Sequence, residues 1–167
     1  MPRDSFVLHV AALLRTPGSR EHRVATGRIR DLQVGTTVLG DPPDVTADLW
    51  IESVHGGLLA TGAVMARWSG ECRRCLAPAT GDLQVEVREL FEDRPEPGGS
   101  YAISGDNVDV EPLARDAILL NLPLAPLCRQ DCRGLCATCG VDLNEEECLC
   151  AGKARDDRWA ALDALDS

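Results

Sequence analysis

Eight cysteines constrain this chain more than any other feature of its 167 residues. Two of them, Cys72 and Cys75, form a C-x2-C pair, and the other six follow after a long gap, within residues 128–150. Inside that cluster Cys136 and Cys139 form a second C-x2-C pair with a glycine directly after it. Such a turn directs two thiolates towards one point, and glycine supplies the positive φ that tight turns commonly need. Two such pairs make a tetrahedral four-sulfur site, which zinc favours in structural sites.

The spacing predicts a zinc site formed by the last four cysteines, Cys136, Cys139, Cys148 and Cys150. The loop between the two pairs, residues 140–147, is long enough to turn back. Because a C-x-C pair can offer a single ligand, Cys132 is the alternative fourth member of this set. The remaining thiols predict a second zinc, which would staple the N-terminal region to the segment after a predicted helix, through Cys72, Cys75, Cys128 and Cys132. A single zinc with Cys72 and Cys75 free is the competing arrangement.

Other uses of the thiols stay open. The chain shows no signal-peptide pattern and no apolar run near the roughly 18–20 residues of a membrane span, so we expect a cytoplasmic protein. Disulfides are rare in that compartment. A redox dithiol at Cys72 and Cys75 would need a βαβ context, and no helix pattern begins there. Inert buried thiols and an iron–sulfur cluster remain compatible with the number of thiolates.

Hydrophobic periodicity predicts strands in the first half of the chain and helices in the second. Apolar and polar residues alternate over 45–54 and 82–91, and a longer apolar run covers 58–68, which predicts three consecutive antiparallel strands. Proline, glycine and acidic residues predict a linker over 92–107. We then expect a helix capped by Asp109, with Pro112 in its first turn. Its apolar residues at helical spacing are Val110, Leu113, Ala114, Ala117 and Leu120.

These patterns predict an α+β chain in three parts. Residues 1–92 would form an antiparallel β domain, and residues 93–108 a Pro/Gly/acidic linker. Residues 109–167 would contain a helix, a cysteine-rich zinc knuckle and a short C-terminal helix. The terminal helix would pack against the core or dock on a partner with one apolar side, formed by Trp159, Leu162 and Leu165.

Charge restricts the classes of partner. The formal net charge is −10, which argues against a protein that binds nucleic acid by charge alone and favours basic partners. One basic stretch, residues 15–30, carries five arginines against one glutamate. It is either a solvated strand and loop or the place where rRNA or another anion is contacted. Its candidate contacts are Arg15, Arg20, Arg23, Arg28 and Arg30.

Catalytic signatures are missing from the sequence. It contains no HExxH, no glycine-rich phosphate loop and no Ser/His/Asp pattern. A catalytic zinc usually keeps an open position and has histidine or carboxylate ligands, whereas an all-cysteine site is closed. We therefore predict that the protein is not an enzyme. Two alternatives remain: a zinc-ribbon nucleic-acid-binding protein, and a thiol or zinc enzyme with a cysteine activated by Arg73 and Arg74.

Five blocks of residues resemble one known family in their order and spacing. They are GECRRCL at 70–76, RELF at 88–91, NLPLAPLC at 121–128, DCRGLCATCGVDLN at 131–144 and DRWAAL at 157–162. With these the chain resembles the YceD-like family, the bacterial and plastid large ribosomal RNA subunit accumulation proteins. The resemblance implies a non-enzymatic ribosome biogenesis factor that supports accumulation of large-subunit rRNA. Arginine supplies 16 of the 17 basic residues, a bias typical of GC-rich bacterial genomes.

The resemblance and the charge together suggest a partner. Ribosomal proteins are basic, so an acidic assembly factor can hold or place one of them through complementary charge. We expect the partner to be a basic large-subunit ribosomal protein or a pre-ribosomal particle. Direct contact with rRNA is the alternative, and no membrane association is expected.

Overall fold

The computed structural model describes residues 6–96 and 98–150, and within them it contains nine strands and two helices. The elements are β1 Val7–His9, α1 Ala11–Arg15, β2 Arg20–Arg28, β3 Gln33–Val34, β4 Thr37–Leu39, β5 Asp44–Val54, β6 Gly57–Glu71, β7 Pro78–Glu92, β8 Tyr101–Ser104, β9 Asn107–Asp109 and α2 Glu111–Asn121. Neither of these helices has the length and apolar character that crossing a membrane would require.

All nine strands belong to one curled sheet, with β6 at its centre. One edge of β6 pairs with β7 along its whole length, and the other edge pairs with β5 and then with β4. Beyond β7 the sheet continues through β8 and β9 to β1, and beyond β5 it ends at β2. All of these pairings are antiparallel except β7 with β8, which is parallel. The chain is therefore richer in strands than the predicted α+β arrangement.

The three consecutive strands expected from alternation are confirmed, and each is longer than predicted. β5 and β6 pair without interruption and turn at Gly56, whose φ is +92°. β6 and β7 pair from Leu58–Phe91 to Glu71–Pro78, so the loop with the first cysteine pair is only residues 72–77. The extension matters because it places that loop rigidly at the end of a long hairpin.

A glycine in β6 permits the continuous pairing with β5. Gly62 has φ +152°, and a Cβ there would lie 2.1 Å from the carbonyl oxygen of Asp48. A side chain at this position would push the two backbones apart. The alternation of buried residues in β6 accordingly skips position 62, between Ala60 and Val64.

The core lies between the inner face of the sheet and the two helices. Alternate residues of β5 are completely buried, as the pattern predicted, and α2 packs against β7 and β6. Burial of such aliphatic side chains stabilises the fold by about 1.5–3 kcal/mol each. The largest fully buried side chains include Leu49, Ile51, Leu58, Phe91, Leu113 and Ile118.

Three local predictions differ from the structure. Residues 93–108, which were expected to form a linker, contain β8 and most of β9, and these strands extend the sheet. The division of the chain into three domains stays a prediction. Leu120, expected on the buried side of α2, is 84% exposed, and Ile118 is buried in its place. The helix α1 was not expected. The Asp109 carboxylate does accept the N–H of Glu111 at 2.9 Å, although Val110 occupies the cap position. The predicted terminal helix lies outside the described residues.

Candidate metal centres

The loop between β6 and β7 forms the first of two cysteine turns, named here the first knuckle (residues 72–76). The carbonyl oxygen of Cys72 accepts the N–H of Leu76 at 2.9 Å. The N–H of Arg74 points at the sulfur of Cys72, at 3.5 Å. The turn closes because Leu76 adopts a left-handed conformation with φ +63°. The side chain of Leu76 is 63% exposed.

Residues 136–140, the second knuckle, repeat this geometry. The carbonyl oxygen of Cys136 accepts the N–H of Gly140 at 2.9 Å, and the N–H of Thr138 points at the sulfur of Cys136 at 3.4 Å. Gly140 has φ +74°, the conformation for which glycine was expected there. Leu76 is its structural equivalent in the first knuckle. The missing glycine is why the sequence indicated the second knuckle more clearly than the first.

The eight sulfurs gather into two groups, and within each the four sulfurs lie within 4.8 Å of one another. The first site contains Cys72, Cys75, Cys128 and Cys132, and the second site contains Cys136, Cys139, Cys148 and Cys150. This is the division that the spacing predicted, and Cys132 lies in the first site. Either group could hold a metal ion, while the assignment of each cysteine as a ligand stays a prediction.

The sulfur separations fit a tetrahedral zinc ion. A Zn–S bond of about 2.3 Å places tetrahedral ligand sulfurs about 3.8 Å apart. In the first site the Cys72–Cys132 and Cys75–Cys128 sulfurs are 3.8 and 3.6 Å apart. In the second site the sulfur of Cys148 lies 3.6 Å from that of Cys139 and 3.2 Å from that of Cys136. All eight cysteines are free thiols, and these separations exceed the roughly 2.05 Å of a disulfide.

Backbone N–H groups favour the thiolate at the first cysteine of each knuckle. Burial raises the pKa of Cys72, but several backbone N–H donors outweigh it and lower this pKa to about 6. The N–H groups of Cys139 and Thr138 likewise lower the pKa of Cys136 to about 6. By contrast, the neighbouring side chain of Cys148 raises the pKa of Cys150 to about 12. In the second site Cys136 thus ionises readily and Cys150 does not. A bound cation would favour the thiolate form of Cys150 as well.

Hydrogen bonds join the first knuckle to the chain that follows α2. The N–H of Arg73 donates to the carbonyl oxygen of Pro126 at 2.9 Å, and the carbonyl oxygen of Arg74 accepts the N–H of Leu135 at 3.0 Å. The guanidinium of Arg74 donates to the carbonyl oxygen of Cys132 at 2.8 Å. Gly134 permits this close approach, because a Cβ there would lie 2.9 Å from the Arg74 carbonyl oxygen. The first site therefore lies where the predicted staple would be.

Asn144 joins the loop of the second site to the first site and was not found by reasoning from the sequence. It lies in the loop of the second site, and its Nδ2 donates to the sulfur of Cys132 in the first site at 3.4 Å. Its Oδ1 accepts the N–H of Arg133 at 2.7 Å and a guanidinium N–H of Arg129 at 2.9 Å. The only signal in the sequence was its place at the end of a block that resembled a known family.

The arginines of residues 15–30 do not form one basic patch. Strand alternation places Arg20 and Arg28 on one face of β2, about 27 Å apart, and Arg23 on the other face. Arg15, Arg23 and Arg28 pair with the carboxylates of Asp106, Glu21 and Asp44, respectively. The guanidinium of Arg20 lies 4.6 Å from the centre of the exposed Trp50 ring. The side chain of Arg30 is exposed.

A groove of about 530 Å³ separates β7 from α2. Its apolar side chains come from both elements and include Val85, Val87, Leu113, Ala117 and the exposed Leu120. Its charged lining residues are Glu86 and Arg88, whose charges offset each other, together with Glu89 and Asp116; the hydroxyl of Tyr101 donates to Asp116 at 2.9 Å. Burial, together with the carboxylates of Asp116 and Glu89, raises the pKa of Tyr101. We call this feature the β7–α2 groove; the charges of its lining residues, three acidic and one basic, sum to −2.

Comparison with known proteins identifies the family. The model of the family "Large ribosomal RNA subunit accumulation protein YceD" matches residues 60–166, a stretch that includes both cysteine groups. The chain belongs to the YceD family. This YceD chain is 41% identical over 122 residues to an uncharacterised protein of Mycobacterium tuberculosis, covering 69% of this chain and 58% of that relative.

Plant relatives carry a descriptive name. A chloroplast protein of Zea mays, named large ribosomal RNA subunit accumulation protein YCED homolog 1, is 41% identical over 131 residues, covering 58% of this YceD chain and 45% of the relative. The Arabidopsis thaliana protein of the same name is 29% identical over 58 residues, covering 35% and 18%. The chain thus spans 58% of the Mycobacterium tuberculosis relative and less than half of either plant relative. No solved structure matches it.

Proposed function

We propose that this protein is a non-enzymatic, cytoplasmic ribosome biogenesis factor that supports accumulation of large-subunit rRNA. The observation that carries the proposal is membership of the YceD family over residues 60–166, together with the names of its plant relatives. The protein acts by binding a basic ribosomal protein, with a fold that two zinc ions stabilise. Different structural observations support the zinc sites and the protein partner.

Zinc stabilisation is supported by the chemistry of the two sulfur groups. Zn²⁺ binds four thiolates tetrahedrally, and the sulfur separations suit that geometry. The residues that would hold it are Cys72, Cys75, Cys128 and Cys132 in one site and Cys136, Cys139, Cys148 and Cys150 in the other. Four cysteines saturate a zinc ion and leave no position for water or substrate, which supports a structural rather than a catalytic role.

A protein partner is supported by the β7–α2 groove. An apolar groove that carries Glu89 and Asp116 is complementary to a segment with apolar and basic side chains, which ribosomal proteins offer. The net charge of −10 also favours a basic partner. The arginines of residues 15–30 are a weaker candidate for contacting rRNA than the groove is for contacting a protein, because three of them already pair with carboxylates. A basic protein segment is therefore the proposed partner, and rRNA is the alternative that the test must exclude.

The deciding experiment compares two matched double variants in a strain that lacks the chromosomal gene. Glu89→Gln/Asp116→Asn neutralises the β7–α2 groove, whereas the outer variant, Asp93→Asn/Glu96→Gln, removes the same charge from exposed positions outside it. We expect deletion to lower the ratio of large-subunit to small-subunit rRNA. The wild type and the outer variant should restore the ratio, and the groove variant should not. An unchanged ratio on deletion would contradict the proposed function.

A binding assay separates the protein partner from rRNA. Immobilised protein is offered basic proteins stripped from large subunits, and in a second arm naked large-subunit rRNA, at physiological salt. We expect one or more identified ribosomal proteins to bind, with affinity about tenfold lower for the groove variant and unchanged for the outer variant. Binding of rRNA alone would contradict the protein partner and favour the arginines.

A further inference from the structure

We infer that Asn144 couples the two candidate metal centres, so that a metal ion in the second site strengthens metal binding at the first. The inference rests on the zinc sites of the proposed function. Asn144 belongs by its position to the second site, because it lies in the loop between Cys139 and Cys148. Its amide contacts the first site, where Nδ2 donates a hydrogen bond to the sulfur of Cys132.

The orientation of the Asn144 amide is determined by its other contacts. Oδ1 accepts two hydrogen bonds, from the N–H of Arg133 and the guanidinium of Arg129. Both partners are donors, so the oxygen must face them and Nδ2 must face Cys132. Nδ2 also donates to the carboxylate of Asp142 at 2.6 Å, and the backbone N–H of Asn144 donates to the same oxygen at 2.8 Å. The side chain is thus held as a donor to the sulfur.

The loop that presents Asn144 depends on the second site. Its two ends carry sulfurs of that site, and between them two backbone hydrogen bonds anchor it: Cys136 N–H to the Val141 carbonyl at 2.8 Å, and Leu143 N–H to the Gly134 carbonyl at 2.9 Å. A metal ion bound by the sulfurs would fix both ends. Without it the loop would be closed by these few hydrogen bonds, and the Asn144 amide would spend less time against Cys132.

A hydrogen bond to a thiolate stabilises the charged form that binds metal. Partners that bond directly to ligand atoms typically change metal affinity by about 10–100-fold when they are removed. We therefore expect about a tenfold effect from Asn144 on the first site. Binding linkage is reciprocal, so a metal ion in the first site must strengthen binding at the second by the same factor. The two centres would then load as a cooperative pair.

The test measures Zn²⁺ affinity of the full chain by competition with a chromophoric chelator under reducing conditions. Co²⁺ thiolate absorption reports metal bound by cysteine, and Cys72→Ser/Cys75→Ser assigns the binding step of the second site. Cys139→Ser/Cys148→Ser disables the second site and should weaken the first about tenfold. Asn144→Ala should weaken the first site by about the same factor with all eight cysteines present. Combined with the serine pair, Asn144→Ala should add less than about twofold, since the two changes remove one interaction.

Two further variants separate coupling from simple ordering of the loop. Asn144→Asp/Asp142→Asn keeps the acceptor for Arg133 and Arg129 and avoids two facing carboxylates, but lacks the donor to Cys132, so the first-site affinity should stay low; recovery would overturn the inference. Glu146→Gln changes an exposed side chain on the same loop and should leave both affinities unaltered. Two bound zinc ions with a first-site affinity insensitive to Asn144→Ala would also overturn the coupling. No bound metal at all would instead refute the proposed zinc centres.

Discussion

Loss of the first site should destabilise the protein more than loss of the second. The perturbation is Cys72→Ser/Cys75→Ser, which removes two sulfurs of the first site and leaves the second knuckle intact. Its matched counterpart, Cys148→Ser/Cys150→Ser, removes two sulfurs of the second site. Each variant makes the same chemical change at two cysteines, so the difference between them reports where the site lies in the chain.

The expected magnitude follows from the length of chain that each site closes. Sulfurs of the first site join residues 53 and 60 positions apart, whereas those of the second join residues 9 and 12 apart. Closing an unfolded chain over such lengths costs entropy equivalent to about 4 kcal/mol for the first site and about 3 kcal/mol for the second, so the unfolded chain retains zinc less readily at the first site. A site that loses its metal on unfolding contributes its binding free energy to stability, so the first site should contribute about 1 kcal/mol more than the second when both bind zinc equally well in the folded chain.

Urea unfolding with zinc present, combined with elemental analysis, provides the measurement. Wild type should carry two zinc ions per chain and each variant one. The free energy of unfolding should fall for both variants, and by about 1 kcal/mol more for Cys72→Ser/Cys75→Ser than for its counterpart. If Cys72→Ser/Cys75→Ser kept two zinc ions and an unchanged unfolding midpoint, the first site would not join the β6–β7 loop to the segment after α2.

Three further predictions concern backbone conformation and thiol chemistry. Gly62→Ala should lower the free energy of unfolding by about 3 kcal/mol in the urea assay, since the new Cβ meets backbone of β5; a loss below about 1 kcal/mol would contradict the close approach. Leu76 and Gly140 both adopt a left-handed conformation, which glycine tolerates better than other residues. Leu76→Gly should therefore leave the free energy of unfolding unchanged or raise it by up to about 1 kcal/mol, whereas Gly140→Ala should lower it by about 1 kcal/mol. Equal losses in the two variants would refute the equivalence of the knuckles. In metal-free protein at pH 7, Cys136 should react with iodoacetamide well before Cys150, because a thiol with a pKa of about 6 is mostly ionised there and one with a pKa of about 12 is not; mass spectrometry showing equal rates would contradict this order.

The strands β5, β6 and β7 were predictable because their side chains satisfy a local rule. Each of these strands pairs with a strand that is its neighbour in sequence and buries one face, so apolar and polar residues alternate along it. The second knuckle was predictable for a similar reason, since a C-x2-C turn followed by glycine carries its conformation within five residues. The division of sulfurs into two sites followed from this one assignment, because four cysteines remained.

The features that were missed depend on distant parts of the chain. β9 has three residues and lies in the sheet between β8 and β1, which joins it from the other end of the sequence. Leu120 fitted the helical spacing as well as Ile118, and the position of the sheet decides which of them is buried. Asn144 looked like an ordinary loop residue, since only the folded chain brings Cys132 to its amide.

The pairing of β1 with β9 also determines when the N-terminal strand can form during synthesis. Val7 aligns with Asp109, and the N–H of Val110 donates to the carbonyl oxygen of Phe6 at 3.0 Å, so β1 needs residues about a hundred positions downstream. At a translation rate of roughly 5–20 residues per second, β1 waits on the order of 5–20 s for its partner, while the β5–β6–β7 hairpins can already close. The three-residue length of β1 keeps the unpaired edge that nascent chains expose in this interval short.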